Sequence, residues 1–148
     1  MSLPLNQVAL VSDQNPDPGA WEGWDDFEPV YERARPHTLV SQDRCWVLYS
    51  LAKIALQMPG NLYEAGVFRG GTAIILRHIV SNAPIGSSQK TLRLFDTFGG
   101  MPKTDPERDL HQSGDFDNTD VETVKHNVGN DAWIAYHQGF IPDTFFRA

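Results

Sequence analysis

Apolar and polar positions alternate along this chain in two rhythms. Cys45, Leu48, Leu51, Ala52, Ala55 and Leu56 recur at i, i+3, i+4 spacing, which predicts a helix buried along that face. Ser41 stands before it as an N-cap, Asp43 suits the positive end of its dipole, and Pro59-Gly60 stops it. Leu62 to Glu64 then reads as a short strand. Gly70 to Val80 reads as a helix with Ala73, Ile74, Leu76, Ile79 and Val80 apolar, and Thr91 to Asp96 alternates as a second strand. Thr119-Asp120-Val121-Glu122 is a capping box that opens a helix on Val121, Val124 and Val128, closed by Gly129. Trp133 to His137 is a third strand. The order helix, strand, helix, strand, helix, strand predicts an α/β fold, a parallel sheet with flanking helices and right-handed crossovers.

Polar segments separate these elements. The chain up to about Gly23 is rich in Pro, Asp, Asn and Gly and reads as an arm. Trp21, Trp24, Phe27 and Tyr31 supply large apolar surface for a helical lid or a subunit contact. Residues 1–37 are therefore expected to form an N-terminal arm and lid, and 38–148 the domain proper. Ser81 to Lys90 is a loop. Thr97 to Phe116 is a polar stretch of a length that is uncommon inside a compact domain and often functional.

Composition narrows the partners. The 148 residues fit one domain, with 41% hydrophobic and 21% charged residues, so disorder is not suggested. Nineteen acids against 12 bases leave a net charge of −7 and no basic cluster, which argues against duplex nucleic acid and anionic membrane. Cys45 is the single cysteine, so no intramolecular disulfide forms and a reducing cytoplasm is expected. Its apolar setting reads as a buried structural thiol. No signal peptide and no apolar run of membrane-spanning length are visible.

Ligands of parallel sheets bind at the carboxyl ends of the strands, and Glu64-Gly66, Asp96 and His137-Gly139 all fall there. Gly66 can turn sharply and admit a ligand to the backbone. Gly70 and Gly71 open a helix, where amides and dipole favour an anionic group. Glu64 would order this turn or meet a ligand's amine. An acid in the position of Asp96 accepts hydrogen bonds from ribose hydroxyls. The glycines lack strict G-x-G-x-x-G spacing, so alone they fit a plain strand-to-helix turn equally well. With Asp96 they favour a nucleotide cofactor.

Tyr63-Glu64-Ala65-Gly66-Val67-Phe68-Arg69-Gly70-Gly71-Thr72-Ala73 resembles the first motif of the macrocin O-methyltransferase (TylF-like) family. Phe95-Asp96-Thr97-Phe98-Gly99-Gly100-Met101-Pro102 resembles its second motif, and Gly114-Asp115-Phe116, Val121 to Lys125 and Gly139 to Thr144 also fit. The resemblance runs from about Thr38 to the last residue. It implies a Rossmann-like S-adenosylmethionine methyltransferase fold, methylation of sugar hydroxyls on natural products, and use of magnesium. It also implies that Glu64, Gly66 and Gly70, with Arg69 and Gly71 of the same motif, border the methionine part of the cofactor. Asp96 would take the ribose, Thr97 and Phe98 would lie by the adenosine, and Gly139 and Phe140 by the adenine.

His111, in the long loop, is the candidate catalytic base, although a solvated loop histidine fits the same position. Asp105, Asp109, Asp115 and Asp117 make that loop acidic, able to draw a metal or simply to form a solvated lid. Family members continue past Asp143-Thr144 into a strand with an Asp-x-Asp metal site. Here those magnesium ligands have no counterpart, so the expected fold is C-terminally truncated, either as a fragment or as a shortened relative. The first strand is then an open edge, for which self-association into a homo-oligomer is expected. The leading expectation is an S-adenosylmethionine-dependent O-methyltransferase acting on a small hydroxylated acceptor, with catalysis by this fragment in doubt for want of the metal site. The alternative is a non-catalytic cofactor-binding or oligomerisation module. A nicotinamide-dependent enzyme fits these motifs least.

Overall fold

The computed structural model describes residues 26–83 and 90–147. Trp21 and Trp24, together with most of the expected arm, lie outside those residues. Three parallel strands, β1 (Leu62–Ala65), β2 (Leu92–Asp96) and β3 (Ile134–Gln138), pair in the order β1-β2-β3. Leu62, Leu92 and Ile134 stand in one row and Ala65, Phe95 and His137 in another. Four helices connect or precede them: α1 (Phe27–Ala34), α2 (Gln42–Ala55), α3 (Gly71–Ser81) and α4 (Val121–Val128). The expected alternation is present, with boundaries shifted by about one residue.

Helix α3 is apolar almost all round, which suits a helix buried between layers. Ala73, Ile74, Ile75, Leu76 and Ile79 are buried in one core with Leu92, Leu94 and Ile134 of the sheet. Helix α1 joins that core through Phe27, Val30, Tyr31 and Ala34, and the Phe27 ring meets Trp46 at 5.1 Å and Tyr49 at 5.3 Å. On the other face of the sheet Phe95 stacks between Tyr63 and His137, at 5.7 and 4.5 Å, and takes the edge of Phe145.

Two local expectations are corrected. Helix α2 buries Cys45, Tyr49 and Ala52, while Leu51 is 58% exposed along with Val47 and Ile54. Its sequence is apolar on several faces, so spacing alone left the phase open. The aromatic contacts of Tyr49 and Trp46 with α1 decide it. At α4 the cap is Asp120, whose side chain accepts the Thr123 N–H at 2.8 Å. Thr119 turns away, and its hydroxyl donates to the Phe68 carbonyl at 2.9 Å.

Candidate cofactor site

Parallel pairing brings the turn after β1 beside the end of β2, and the Asp96 carboxylate joins them. Its Oδ2 accepts the N–H of Val67 at 2.6 Å and of Phe68 at 3.0 Å, and its Oδ1 accepts the N–H of Phe98 at 2.9 Å. Phe68 and Phe98 both have φ of +52°, a conformation that costs a non-glycine residue about 1–3 kcal/mol. Charge-assisted bonds to their amides offset that cost. The Gly139 N–H donates to the Asp96 carbonyl at 2.9 Å, so the end of β3 is drawn to the same place.

These three strand ends enclose an apolar cavity of about 380 Å³. Gly66, Asp96, Thr97, Gly139 and Phe140, all anticipated from the sequence, line it. Gly66 has φ of +83° and nothing within 4 Å of a Cβ position, so its bend faces open space. Leu39, Phe68, Phe95, Gly100, Met101, Pro102, Phe116, Thr119 and Ile141 complete the wall. Sequence reasoning did not single these out as site residues. Gly114-Asp115-Phe116 was a visible motif, but its placement depends on the long loop folding back on itself. The Met101 N–H donates to the Asp115 carbonyl at 2.7 Å and the Gly114 N–H to that of Met101 at 3.0 Å, which closes the neck of the loop over the cavity.

Glu64 stands beneath the bend. The Thr72 hydroxyl donates to its Oε1, while Oε2 is sealed from solvent with no partner. Burial pushes this acid up to about 7, the neighbouring Asp96 charge adds to the shift, and the Thr72 bond opposes it.

Other anticipated residues stand apart from the cavity wall. Gly70 and Gly71 serve packing: a Cβ on Gly70 would meet Val128 at 2.5 Å, and one on Gly71 would meet Thr38 at 2.5 Å and the Ala34 carbonyl at 2.8 Å. Their lack of side chains lets α4 and the 35–37 turn close on the start of α3. The Arg69 carbonyl accepts the Asn127 side-chain amide at 3.0 Å, and its buried Nε has no partner. The Phe98 ring is buried against the core and only its amide faces the site.

His111 is exposed in the long loop, outside the cavity wall. Its ring meets the edge of Phe116 at 4.9 Å, and its Nδ1 lies 3.6 Å from Asp115 Oδ2. The loop acids bond their own backbone: Asp109 accepts the Asp105 N–H, Asp105 that of Glu107, and Asp115 that of Gln112. Among the described residues no group of three or more His, Cys, Asp or Glu side chains is placed to hold a metal ion. Cys45 is a buried free thiol pushed up to about 11 by burial. No helix of the described residues is long and apolar enough to cross a membrane.

Known proteins resemble this chain in sequence and in fold. A profile of the family described as Macrocin-O-methyltransferase (TylF) matches residues 23–139. Mycinamicin III 3''-O-methyltransferase of Micromonospora griseorubida is 29% identical over 120 residues, which cover 74% of this chain and 46% of that protein. Demethyldecarbamoylnovobiocin O-methyltransferase of Streptomyces niveus is 27% identical over 124 residues, 75% of this chain and 47% of that protein. This chain thus spans about half the length of the curated relatives it matches. The solved structure of the O-methyltransferase NovP superimposes with a TM-score of 0.62 at 24% identity, covering 78% of this chain and 55% of NovP, and is similar in fold.

Proposed function

This chain belongs to the macrocin O-methyltransferase (TylF) family, and from that premise we propose that its cavity holds S-adenosylmethionine for methylation of a hydroxyl on a sugar or other natural product. The observation that carries the proposal is the Asp96 carboxylate fastening the Gly66 bend at the mouth formed by three strand ends. A cavity of this size and apolar character suits a nucleoside flanked by a few fixed polar groups. Support for the acceptor class comes from the relatives, which are named as O-methyltransferases of mycinamicin III and demethyldecarbamoylnovobiocin.

The chain's own residues divide the work. Gly66 leaves room for the aminoacyl tail, and Glu64 lies below it. Asp96 and Thr97 face the ribose, with Gly139 and Phe140 on the base side. When bound, S-adenosylmethionine supplies an electrophilic methyl group. Transfer to an oxygen requires the acceptor hydroxyl to be held in line and to lose its proton. His111, oriented by Asp115 and Phe116, is the candidate to take that proton. A reducing cytoplasm suits the free thiol of Cys45. Among the described residues β1 pairs only with β2, and that open side supports self-association.

Titration with S-adenosylhomocysteine in a calorimeter tests the cofactor assignment. Saturable one-site binding is expected, weakened at least about ten-fold by Gly66→Val, whose side chain would enter the cavity from a left-handed position. No heat at high protein concentration would contradict it.

A further inference from the structure

We propose that Glu64 makes this site selective for positively charged ligands, giving up its proton as the cation enters. The inference rests on the cofactor reading above and adds a proton balance to it. Glu64 lies on β1, two residues before the Gly66 bend that lines the cavity. One carboxyl oxygen accepts the Thr72 hydroxyl from α3, and the other is sealed off with no partner. The remaining titratable neighbours are the Asp96 carboxylate on β2 and the Cys45 thiol on α2. No Lys, Arg or His of the described residues is bonded to it.

The cavity itself carries one charged side chain, Asp96, and no base among its lining residues. An entering anion therefore meets two acids and no counter-charge. A sulfonium or ammonium group near the bend meets the reverse. Without a ligand, burial and Asp96 favour the protonated form of Glu64, which prevails below neutrality. A cation nearby supplies the missing positive charge through a poorly screened interior, without needing to touch the carboxylate. The O–H bond of Glu64 then breaks and one proton leaves to the buffer. The ligand keeps its own charge, which offsets the newly formed Glu64 carboxylate and leaves the charge of Asp96 as it was.

The test is calorimetry of the full chain with S-adenosylmethionine, between pH 5.5 and 8.5, in two buffers of different ionisation heat. Below pH 7 the native protein is expected to release about one proton on binding, and its affinity to rise with pH by nearly ten-fold per unit. Glu64→Gln, which keeps the shape and an acceptor for Thr72, is expected to bind with equal heats in both buffers and a flat pH profile. Thr72→Val provides a second handle, because loss of the hydroxyl donor moves the proton release to higher pH. Binding by the native protein with buffer-independent heat overturns the inference while leaving the cofactor reading intact. The same proton release from Glu64→Gln also overturns it. No binding at any pH overturns the cofactor reading and this inference together.

Discussion

Asp96 binds its own backbone before it can bind anything else. Three amide N–H groups from two turns converge on its carboxylate, and both turns hold a phenylalanine at positive φ. Asp96→Asn presents an NH₂ to donors that need an acceptor, so a loss of about 2–4 kcal/mol is expected from urea unfolding, with cofactor affinity lost as well. Glu64 gives a second prediction. Its pKa is raised from 4.5 to about 7 in the folded state, so the native chain holds more protons than the unfolded one between those values. Stability conferred by the protonated acid is fully present below about pH 4.5 and is lost as pH rises through about 7, by on the order of 3 kcal/mol. The difference in urea midpoint between native protein and Glu64→Gln, followed across that window, checks it. Strand-end position made Glu64, Gly66 and Asp96 legible in the sequence. The duty of Asp96 to its own loop was not, because it depends on turn dihedrals that no residue type announces.

At the level of elements, the glycine turn separates into two functions that looked like one. Gly66 opens a bend on the cavity, whereas Gly70 and Gly71 allow close helix packing. Gly71→Ala is therefore expected to lower stability by about 2 kcal/mol or more through overpacking. Gly66→Ala has space and carries only the left-handed penalty, on the order of 1 kcal/mol. Thermal unfolding of the two variants distinguishes them. Helix α2 allows a similar contrast. Tyr49→Ala should cost about 3–5 kcal/mol as a large buried ring is removed, while Leu51→Ala on the exposed face should change stability by less than about 0.5 kcal/mol. The existence and order of these elements followed from periodicity, turn residues and caps. The rotation of α2 did not, because an apolar set spread over several faces fits more than one phase. The lining role of Met101 and Phe116 was hidden for a related reason, since loop closure at Asp115 is a long-range event with no local signature.

At the largest scale, the helical core of the described residues lies against one face of their three-stranded parallel sheet, and the cavity sits at the carboxyl end of these three strands. Such sheets are ordinarily covered on both faces. Among the described residues Tyr63 is 57% exposed beside Phe95 and His137 on the opposite face, next to a side of β1 that no described strand pairs. Sedimentation velocity should accordingly show a concentration-dependent oligomer that Tyr63→Lys weakens; a monomer at every concentration would contradict self-association. The parallel α/β class and the shared rim could be read from the order of elements, but the extent of cover over the second face could not. The central claim is that the ends of β1, β2 and β3 build one cofactor site. Backbone amide NMR during titration with S-adenosylhomocysteine tests it most directly. Signals of Gly66, Thr97, Gly139 and Phe140 are predicted to move together with a single dissociation constant, larger than any change at Gly70 and Gly71. Unchanged signals at those four positions, or shifts confined to another surface, would contradict the account.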